Sequence, residues 1–255
     1  MASRPRTRQG MVTQATETLL ERDQVAAGRL PPRYAEPWFE PFEQRVRGAL
    51  RPGVAILDVG SGRYPTIGLE ERPTDCTYVG LDASAAELAL APAGTYDETI
   101  CADVTLPDSA LVGRFDLIVS WQVLEHVKPL PRTFELMRSY LRPGGKMVAQ
   151  LSGGLSAFAI LARVVPHAAS SRLMARLLGV AADEKFPTYY DHCRFSALDR
   201  ILSTWSFHEI VPRYKGATYF RFFRPLEAGY LRYEDLIFRH DWRELATHYL
   251  VDATR

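Results

Sequence analysis

Two glycines and an acidic residue follow the first strand-like segment of the chain. The segment 57–62 (LDVGSG) places Asp58 two residues before Gly60, with Gly62 next in the pattern. Glycine permits positive φ and lets the backbone approach a ligand that a side chain would exclude. A dinucleotide fingerprint, G-x-G-x-x-G, needs a third glycine where Pro65 stands. The turn therefore predicts a ligand-binding loop and argues against a nicotinamide site.

Two further acidic residues follow the next two strand-like segments. Asp82 ends VGLD about twenty residues after the glycines, where a carboxylate can accept two hydrogen bonds from ribose hydroxyls. Asp103 follows the third segment, so both acids fall at the same edge of a parallel sheet. Taken singly, either acid could instead be a helix cap or a turn residue. Their order along the chain favours ligand binding.

Two histidines are candidates for acid–base chemistry. His126 directly follows the fourth strand-like segment, and His192 lies beside Asp191 in a polar and aromatic stretch. Histidine is the commonest general base in enzymes. A base of this kind is needed when an aliphatic hydroxyl acts as a nucleophile, because the hydroxyl must lose its proton as it attacks. The catalytic candidates are therefore His126, His192 and Asp191. Structural roles remain open, because His126 could cap its own helix and His192 could pair only with Asp191 or a carbonyl.

Alternating strand-like and helical segments must position these residues, and this pattern predicts an α/β protein with a mainly parallel sheet. The predicted strands span 54–59, 77–82, 98–102, 115–120, 146–151, 207–213 and 246–253. Their continuous Val, Ile and Leu content is typical of strands buried on both faces. Apolar spacing predicts a helix over 132–141 that ends before the PGG at 143–145, and Ser196 with Asp199 predicts a capping box for a later helix.

Two segments are not needed to form the sheet and its connecting helices, and they predict a cap over the carboxyl edge of the sheet. Residues 155–181 are apolar and interrupted by Pro166, which predicts two short helices, the second from Ser171 to near Gly179. Residues 214–243 are densely aromatic. We therefore expect a mobile tail and helix over 1–30, and a single domain over 31–255 with cap insertions at about 154–195 and 214–243.

Charge and cysteine content narrow the function classes. The 255 residues include 31 basic and 30 acidic side chains, a formal charge of +1 that argues against a dedicated nucleic-acid-binding protein. The three cysteines, Cys76, Cys101 and Cys193, fit no paired metal spacing and predict reduced thiols. The N-terminus has no apolar signal region, and no apolar run is long enough to span a bilayer. We expect a cytoplasmic protein without a membrane span.

The ordered motifs resemble those of class I S-adenosylmethionine-dependent methyltransferases. The glycine loop, Asp82 and Asp103 are joined by LEHV at 124–127 after the fourth strand and LRPGG at 141–145 before the fifth. The resemblance covers roughly residues 40–150. It implies an α/β fold, a doubly wound, seven-stranded, mainly parallel Rossmann-like sheet whose last strand is antiparallel, here with helical and aromatic cap insertions.

The resemblance also implies which residues hold the cofactor, S-adenosylmethionine, and its product S-adenosylhomocysteine. It places the glycines at the methionine portion, Asp82 on the ribose and Asp103 at the adenine amino group, with Asp58 holding the loop or a water. The implied cofactor-binding residues are Asp58, Gly60, Ser61, Gly62, Asp82, Ala83, Asp103, Val104, Ser120, Trp121 and Gln122. Tyr64 departs from the family's usual small residue, so the loop either turns differently or places a ring near the methionine tail.

Some relatives bind a divalent metal through Glu-x-x-Glu-His after strand four. Gln122 stands here for the first of those glutamates, leaving Glu125 and His126. Because loss of an anionic ligand weakens a hard-cation site, we expect no metal.

The leading functional hypothesis is methyl transfer to a hydroxyl oxygen of a small molecule, either a secondary metabolite or a saccharide. Residues 244–251 also resemble saccharide-modifying methyltransferases, although less specifically. One alternative is a non-catalytic, methyltransferase-like subunit that binds a partner or an anionic membrane surface through the arginines of 155–181. The same stretch could equally be a substrate lid. The second alternative is a nicotinamide-dependent oxidoreductase. The oligomeric state is not predicted.

Overall fold

One seven-stranded sheet organises the computed structural model, which describes residues 21–164, 187–221 and 223–255. The strands are β1 (Ala55–Val59), β2 (Thr77–Asp82), β3 (Glu98–Cys101), β4 (Phe115–Trp121), β5 (Leu141–Ser152), β6 (Phe207–Arg213) and β7 (His248–Thr254). Their order is β3-β2-β1-β4-β5-β7-β6, and β7 runs antiparallel to both of its neighbours while the other pairs are parallel. The predicted Rossmann-like sheet with an antiparallel last strand is confirmed.

Within the described residues, six helices and several single turns precede or connect the strands. The helices are α1 (Glu40–Ala49), α2 (Ala85–Ala89), α3 (Leu130–Tyr140), α4 (Ala157–Val164), α5 (Phe195–Leu202) and α6 (Arg224–Arg239), and residues 21–26 are also helical. Short 3-10 turns span Pro32–Tyr34, Leu69–Glu71, Ser109–Leu111, Leu124–His126, Ala217–Phe220 and Arg243–Leu245. The helix predicted over 132–141 begins two residues earlier, and it ends before PGG as expected.

Alternate residues of the central strands face two separate apolar layers. Ile56 of β1 packs with Phe42 and Val46 of α1, whereas its neighbour Leu57 packs in the layer that contains Phe134 and Met137 of α3. Successive side chains of a strand point to opposite faces, so the central strands β1 and β4 are covered on both sides. The predicted burial on both faces is wrong for β3, which lies at the edge of the sheet and exposes Glu98, Thr99 and Cys101. All five residues of β1 are buried, which confirms the prediction made from its composition.

The predicted capping box at Ser196 is wrong. Helix α5 begins at Phe195, and its N-cap, Arg194, makes no side-chain capping bond. The backbone amide of Ser196 donates instead to Glu244 Oε1 at 2.9 Å. Asp199, predicted to complete the box, accepts from His208 Nε2 at 2.9 Å. A distant acid therefore satisfies the helix start that the local sequence seemed to cap.

The insertions extend from the carboxyl ends of β5 and β6. The first begins with α4, which agrees with the first helix predicted in 155–181. The second predicted helix, with Arg172 and Arg176, lies outside the described residues, as does most of the tail predicted over 1–30. The second insertion holds the Ala217–Phe220 turn and α6, against which Leu30 packs. In the described ranges, no helix has the length and apolar character needed to cross a bilayer.

Candidate active site

Asp58 fixes the glycine loop that follows β1. Its side chain is fully buried and accepts hydrogen bonds from the Thr66 backbone amide at 2.6 Å and the Thr66 hydroxyl at 2.7 Å. The Tyr78 hydroxyl of β2 donates to the same carboxylate. These bonds fold residues 60–66 back onto the sheet, so the structure supports the loop-holding role among the alternatives predicted for Asp58.

The two loop glycines occupy backbone conformations that disfavour other residues. The φ angle is +74° at Gly60 and +50° at Gly62. A Cβ atom on Gly60 would overlap both γ carbons of Val123, which follows β4. The loop backbone therefore lies directly against the chain that leaves β4. Only glycine allows this approach, and the result is a cradle of bare backbone at the sheet edge.

Asp82 lies opposite Gly62 at the end of β2. Its Oδ2 atom is 3.4 Å from the position a Cβ on Gly62 would occupy, and its Oδ1 atom accepts from the Ser84 amide at 2.8 Å. Partial burial raises the pKa of this carboxyl above its ordinary value. Ala83, the next residue, is exposed at the same edge. A partly desolvated carboxylate beside a glycine cradle fits the binding of a pair of ribose hydroxyls.

Asp103 follows the neighbouring strand, β3, and belongs to a local turn. Its Oδ1 atom accepts from both the amide and the hydroxyl of Thr105, at 2.9 and 2.8 Å. The Asp103 side chain is exposed, whereas Val104 is buried beneath it. Because β2 and β3 pair in register, with Asp82 opposite Cys101, Asp82 and Asp103 share one edge of the sheet. The structure thus brings the two predicted acids together.

The end of β4 supplies the remaining predicted cofactor residues. Ser120 is fully buried, and its hydroxyl donates to the Val59 carbonyl at 3.2 Å. This bond joins β4 to β1 beside the glycine loop. Ser61, in that loop, is also buried. The Trp121 ring packs edge-on against Phe42, 4.8 Å between centroids. Ser120 and Trp121 therefore support the edge by packing and bonding.

A polar and aromatic cleft begins at Gln122, where β4 ends. Gln122 has a positive φ of +57°, and its backbone N–H donates to the backbone carbonyl of Gln150 in β5 at 2.8 Å. The cleft is open to solvent, and the space between its walls, open solvent included, is about 460 Å³. Its lining residues are Gln122, Glu125, His126, Ser152, Ser156, Phe158, Thr188, Tyr190, Tyr219, Thr247 and His248. Tyr219 belongs to the aromatic insertion, which therefore contributes to the wall of the cleft.

His126 lies on the wall of this cleft with one ring nitrogen engaged. Its Nδ1 atom is 3.0 Å from the Pro187 carbonyl oxygen and 3.3 Å from the Thr188 hydroxyl. A carbonyl oxygen only accepts, so the neutral imidazole carries its proton on Nδ1 and its lone pair on Nε2. This tautomer is the one that a general base acting through Nε2 requires.

Asp191 and His192 do not line the cleft. Asp191 Oδ1 is 2.8 Å from His192 Nδ1, and Asp191 Oδ2 accepts from the Leu130 amide at 2.8 Å. Leu130 is the first residue of α3, so the Asp191 carboxylate satisfies an unpaired donor at the helix start. The His192 side chain is about half exposed, at 49%. Asp191 therefore caps α3 and His192 pairs with Asp191. This geometry does not support the catalytic role predicted for the two residues.

Two buried cleft residues, Glu125 and His248, were not predicted as site residues. Glu125 is 3% exposed; its Oε1 atom accepts from the Ser152 hydroxyl at 2.7 Å, and its Oε2 atom has no hydrogen-bond partner within the described residues. His248 is 1% exposed, and burial lowers its pKa to about 3, so the imidazole is neutral at physiological pH. Its Nε2 atom is 3.2 Å from the Tyr219 hydroxyl. In the described ranges no three His, Cys, Asp or Glu side chains converge as a metal site.

Comparison with known proteins places this geometry in a family. A model described as a methyltransferase domain matches residues 30–198. Trans-aconitate 2-methyltransferase of Deinococcus radiodurans is 33% identical over 102 residues, an alignment that covers 40% of this chain and 39% of that protein. The chain therefore aligns with about two fifths of that curated relative's length.

Two solved structures share the fold at low sequence identity. One is phosphoethanolamine N-methyltransferase 2 of Haemonchus contortus in complex with S-adenosyl-L-methionine, with a TM-score of 0.52 and 13% identity, covering 85% of this chain and 52% of that one. The other is the mycolic acid cyclopropane synthase CmaA1 in complex with SAH and CTAB, with a TM-score of 0.50 and 20% identity, covering 87% and 84%. At these identities the likeness establishes the fold.

Proposed function

Since this chain belongs to the methyltransferase-domain family, we propose that it transfers a methyl group from S-adenosylmethionine to a hydroxyl oxygen of a small molecule. The observation that carries the proposal is the position of the cleft. It begins at Gln122, which the family pattern places in the lining of the cofactor site where strand four ends. It also holds His126, whose Nε2 lone pair is not engaged by the Pro187 contact. An acceptor in this cleft would meet both the methyl group and a base.

The chain's own residues suit the cofactor. The backbone of Gly60 and Gly62 lies bare at the sheet edge, where a Cβ on Gly60 would strike Val123 and one on Gly62 would approach Asp82. Asp58 holds that loop against the sheet. Asp82 would accept from the ribose hydroxyls, and Asp103 with the Val104 amide would bind the adenine edge. The family pattern implies four further residues around the cofactor, and we include them in the proposed cofactor site: Ser61, Ala83, Ser120 and Trp121.

The chemical step asks little more than alignment and one proton transfer. When bound, S-adenosylmethionine supplies an electrophilic methyl group on a sulfonium. The cleft would orient the acceptor hydroxyl toward that methyl group. His126 Nε2 would take the hydroxyl proton as the oxygen gains the methyl group, while the Pro187 carbonyl accepts from Nδ1–H and so orients the ring.

The remaining features support a small-molecule acceptor in the cytoplasm. The formal charge of +1 offers no broad basic surface for nucleic acid, and all three cysteines are free. Membership of the narrower LEHV/LRPGG group, the absence of a metal and the choice of a secondary metabolite or saccharide stay predictions.

Calorimetry with S-adenosylhomocysteine and with NAD tests the proposal. We expect the first to bind and the second not to bind, because Pro65 stands where the dinucleotide fingerprint needs its third glycine. Asp82→Ala removes the ribose contact and should weaken S-adenosylhomocysteine binding, whereas Glu135→Gln, an exposed acid on α3, is the matched control and should not. NAD binding would favour the oxidoreductase alternative. Cofactor binding without transfer to any acceptor in a broad screen would favour a non-catalytic subunit.

A further inference from the structure

We propose that the cleft selects an acceptor that carries a protonated amine, and that the Glu125 carboxylate binds this ammonium group. The inference rests on the proposed methyl transfer, because it assumes that the cleft holds the acceptor. It adds the chemical class of the substrate, a hydroxylated amine, and a substrate-binding role for Glu125, the acid of the LEHV segment.

The first argument is the charge of Glu125. The side chain is 3% exposed, and its hydrogen bonds come from Ser152, whose hydroxyl and amide lie 2.7 and 3.3 Å from Oε1. No ion pair with Glu125 forms among the described residues, and Oε2 has no described partner. Burying a carboxylate without a cation costs several kcal/mol, so buried charges are normally paired. A cationic ligand at Oε2 would supply the missing partner.

The second argument is the direction of the hydrogen bonds around Ser152. Its hydroxyl lies 2.7 Å from Glu125 Oε1 and 3.0 Å from Gln122 Oε1, and its single proton can go to only one of these two oxygens. The shorter, charge-assisted contact is the one to Glu125, so Gln122 Oε1 is left without a strong donor. The buried Gln122 Nε2 atom has no partner in the described ranges. The polar end of the cleft therefore holds two oxygens, Glu125 Oε2 and Gln122 Oε1, that the several donors of an ammonium group can satisfy.

The third argument is the aromatic lining of the cleft. Phe158, Tyr190 and Tyr219 line the cleft, and the Phe158 and Tyr219 ring centroids are 5.0 Å apart. Aromatic faces attract ammonium groups, and more strongly where the cation is desolvated. His248 adds no positive charge, because burial keeps its imidazole neutral. The guanidinium of Arg213, whose charge acts on His248, is itself paired with Glu36 at 2.9 Å.

These features together define the ligand class. A carboxylate or phosphate would meet Glu125 and the rings unfavourably, and a neutral polyol would leave the Glu125 charge unpaired. A hydroxylated amine, such as a phenolic amine or an amino sugar, places an ammonium at Glu125 and a hydroxyl toward His126. This class is compatible with both acceptor types predicted from the sequence.

Two matched probe pairs test the inference on the full-length protein saturated with S-adenosylhomocysteine. Tyramine is compared with 4-hydroxyphenethyl alcohol, and glucosamine with glucose, by ligand-observed NMR and calorimetry. We expect the amine of at least one pair to bind about tenfold more tightly than its neutral counterpart. Glu125→Gln should remove that preference while the neutral probe's affinity stays unchanged, and Glu135→Gln should leave the preference intact.

The outcomes separate this inference from the proposed function. S-adenosylhomocysteine affinity and the thermal unfolding midpoint of Glu125→Gln show that the variant is folded and loaded. If S-adenosylhomocysteine binds, and the amine and neutral probes bind equally in both pairs, or no amine binds at millimolar concentration, the ammonium site is wrong and methyl transfer stands. If S-adenosylhomocysteine does not bind the wild-type protein, the proposed function itself fails.

Discussion

The Nδ1 atom of His126 lies 3.0 Å from the carbonyl oxygen of Pro187, across 61 residues of sequence. This contact fixes the tautomer and makes Nε2 the basic nitrogen. It also joins the turn after β4 to the chain that enters α5, so the base is oriented by a segment that the sequence alone does not connect to it.

Replacing His126 should slow transfer without weakening cofactor binding. Loss of a general base typically lowers turnover by about 10²- to 10⁴-fold, and we expect His126→Ala to fall in that range. The measurement is S-adenosylhomocysteine production with an acceptor from the hydroxylated-amine class, beside calorimetry of S-adenosylhomocysteine binding. His192→Ala is the matched control, since His192 lies outside the cleft and pairs with Asp191. Equal loss of turnover in both variants would remove the distinction drawn between them.

Gly60→Ala should destabilise the protein and abolish cofactor binding. The new Cβ would overlap Val123 at a φ of +74°, and such overpacking costs about 1–3 kcal/mol in addition to backbone strain. Gly94 separates the two effects, because its φ is +76° and a Cβ there has no neighbour within 4 Å. Gly94→Ala should show only the strain, about 1–2 kcal/mol, with S-adenosylhomocysteine affinity intact. Urea unfolding and calorimetry measure both quantities, and intact affinity in Gly60→Ala would argue against the cradle.

Asp82→Asn should stabilise the free protein and weaken cofactor binding. The folded-state pKa of Asp82 is raised, chiefly by desolvation, so its contribution to stability is favourable at acid pH and is lost as pH rises through that pKa. The variant's gain in unfolding midpoint should therefore be present at pH 7 and disappear as pH falls below the ordinary carboxyl range. The Asn Oδ1 atom can keep the Ser84 bond.

Asp108→Asn is the control for that experiment. Asp108 Oδ1 accepts from the Ala110 amide at 2.9 Å in the same i to i+2 pattern as Asp82 with Ser84. We expect no loss of S-adenosylhomocysteine affinity in this variant. A pH-independent gain in Asp82→Asn would show that desolvation of the carboxylate is not its cause.

Glu234 should be the most costly acid to replace on α6. It is fully buried and accepts from Arg33 Nη2 at 2.9 Å, from the Tyr34 hydroxyl at 2.6 Å and from the Gly216 amide at 2.6 Å. Breaking a buried pair by removing one partner costs about 3–5 kcal/mol, so Glu234→Gln should lose that much in urea unfolding.

The neighbouring Asp235 provides the comparison. It binds the same Arg33 at 2.6 Å, but its side chain is 35% exposed. Asp235→Asn should therefore cost about 1 kcal/mol or less. Similar losses in the two variants would mean that burial does not set the strength of this network, which holds the Ala217–Phe220 turn and with it Tyr219 at the cleft.

The strands and the acids at their ends followed from the sequence because both depend on local order. Runs of Val, Ile and Leu that stop at Asp82 or at Gly60 specify a buried strand and its exit in one stretch of chain. The parallel arrangement then brings such exits to one edge, so the shared position of these residues could be predicted without any long-range contact.

The cleft could not be predicted in the same way, because distant residues complete it. Asp191 is identified as a helix cap only by its bond to Leu130, 61 residues earlier. His248 becomes a buried neutral imidazole because Trp38 packs 4.2 Å from its ring and Tyr219 reaches its Nε2 atom. One local signal was available for His248, which is one of three polar residues, with Thr247 and Asp252, in the strand-like run 246–253.

A crystal structure of the wild-type protein with S-adenosylhomocysteine tests the central claim most directly. The account predicts that the Asp82 carboxylate binds the ribose hydroxyls, and that the sulfur lies at the Gln122 end of the cleft with His126 Nε2 facing the space beyond it. A sulfur directed away from the cleft, or a base other than His126 in reach of that space, would contradict it.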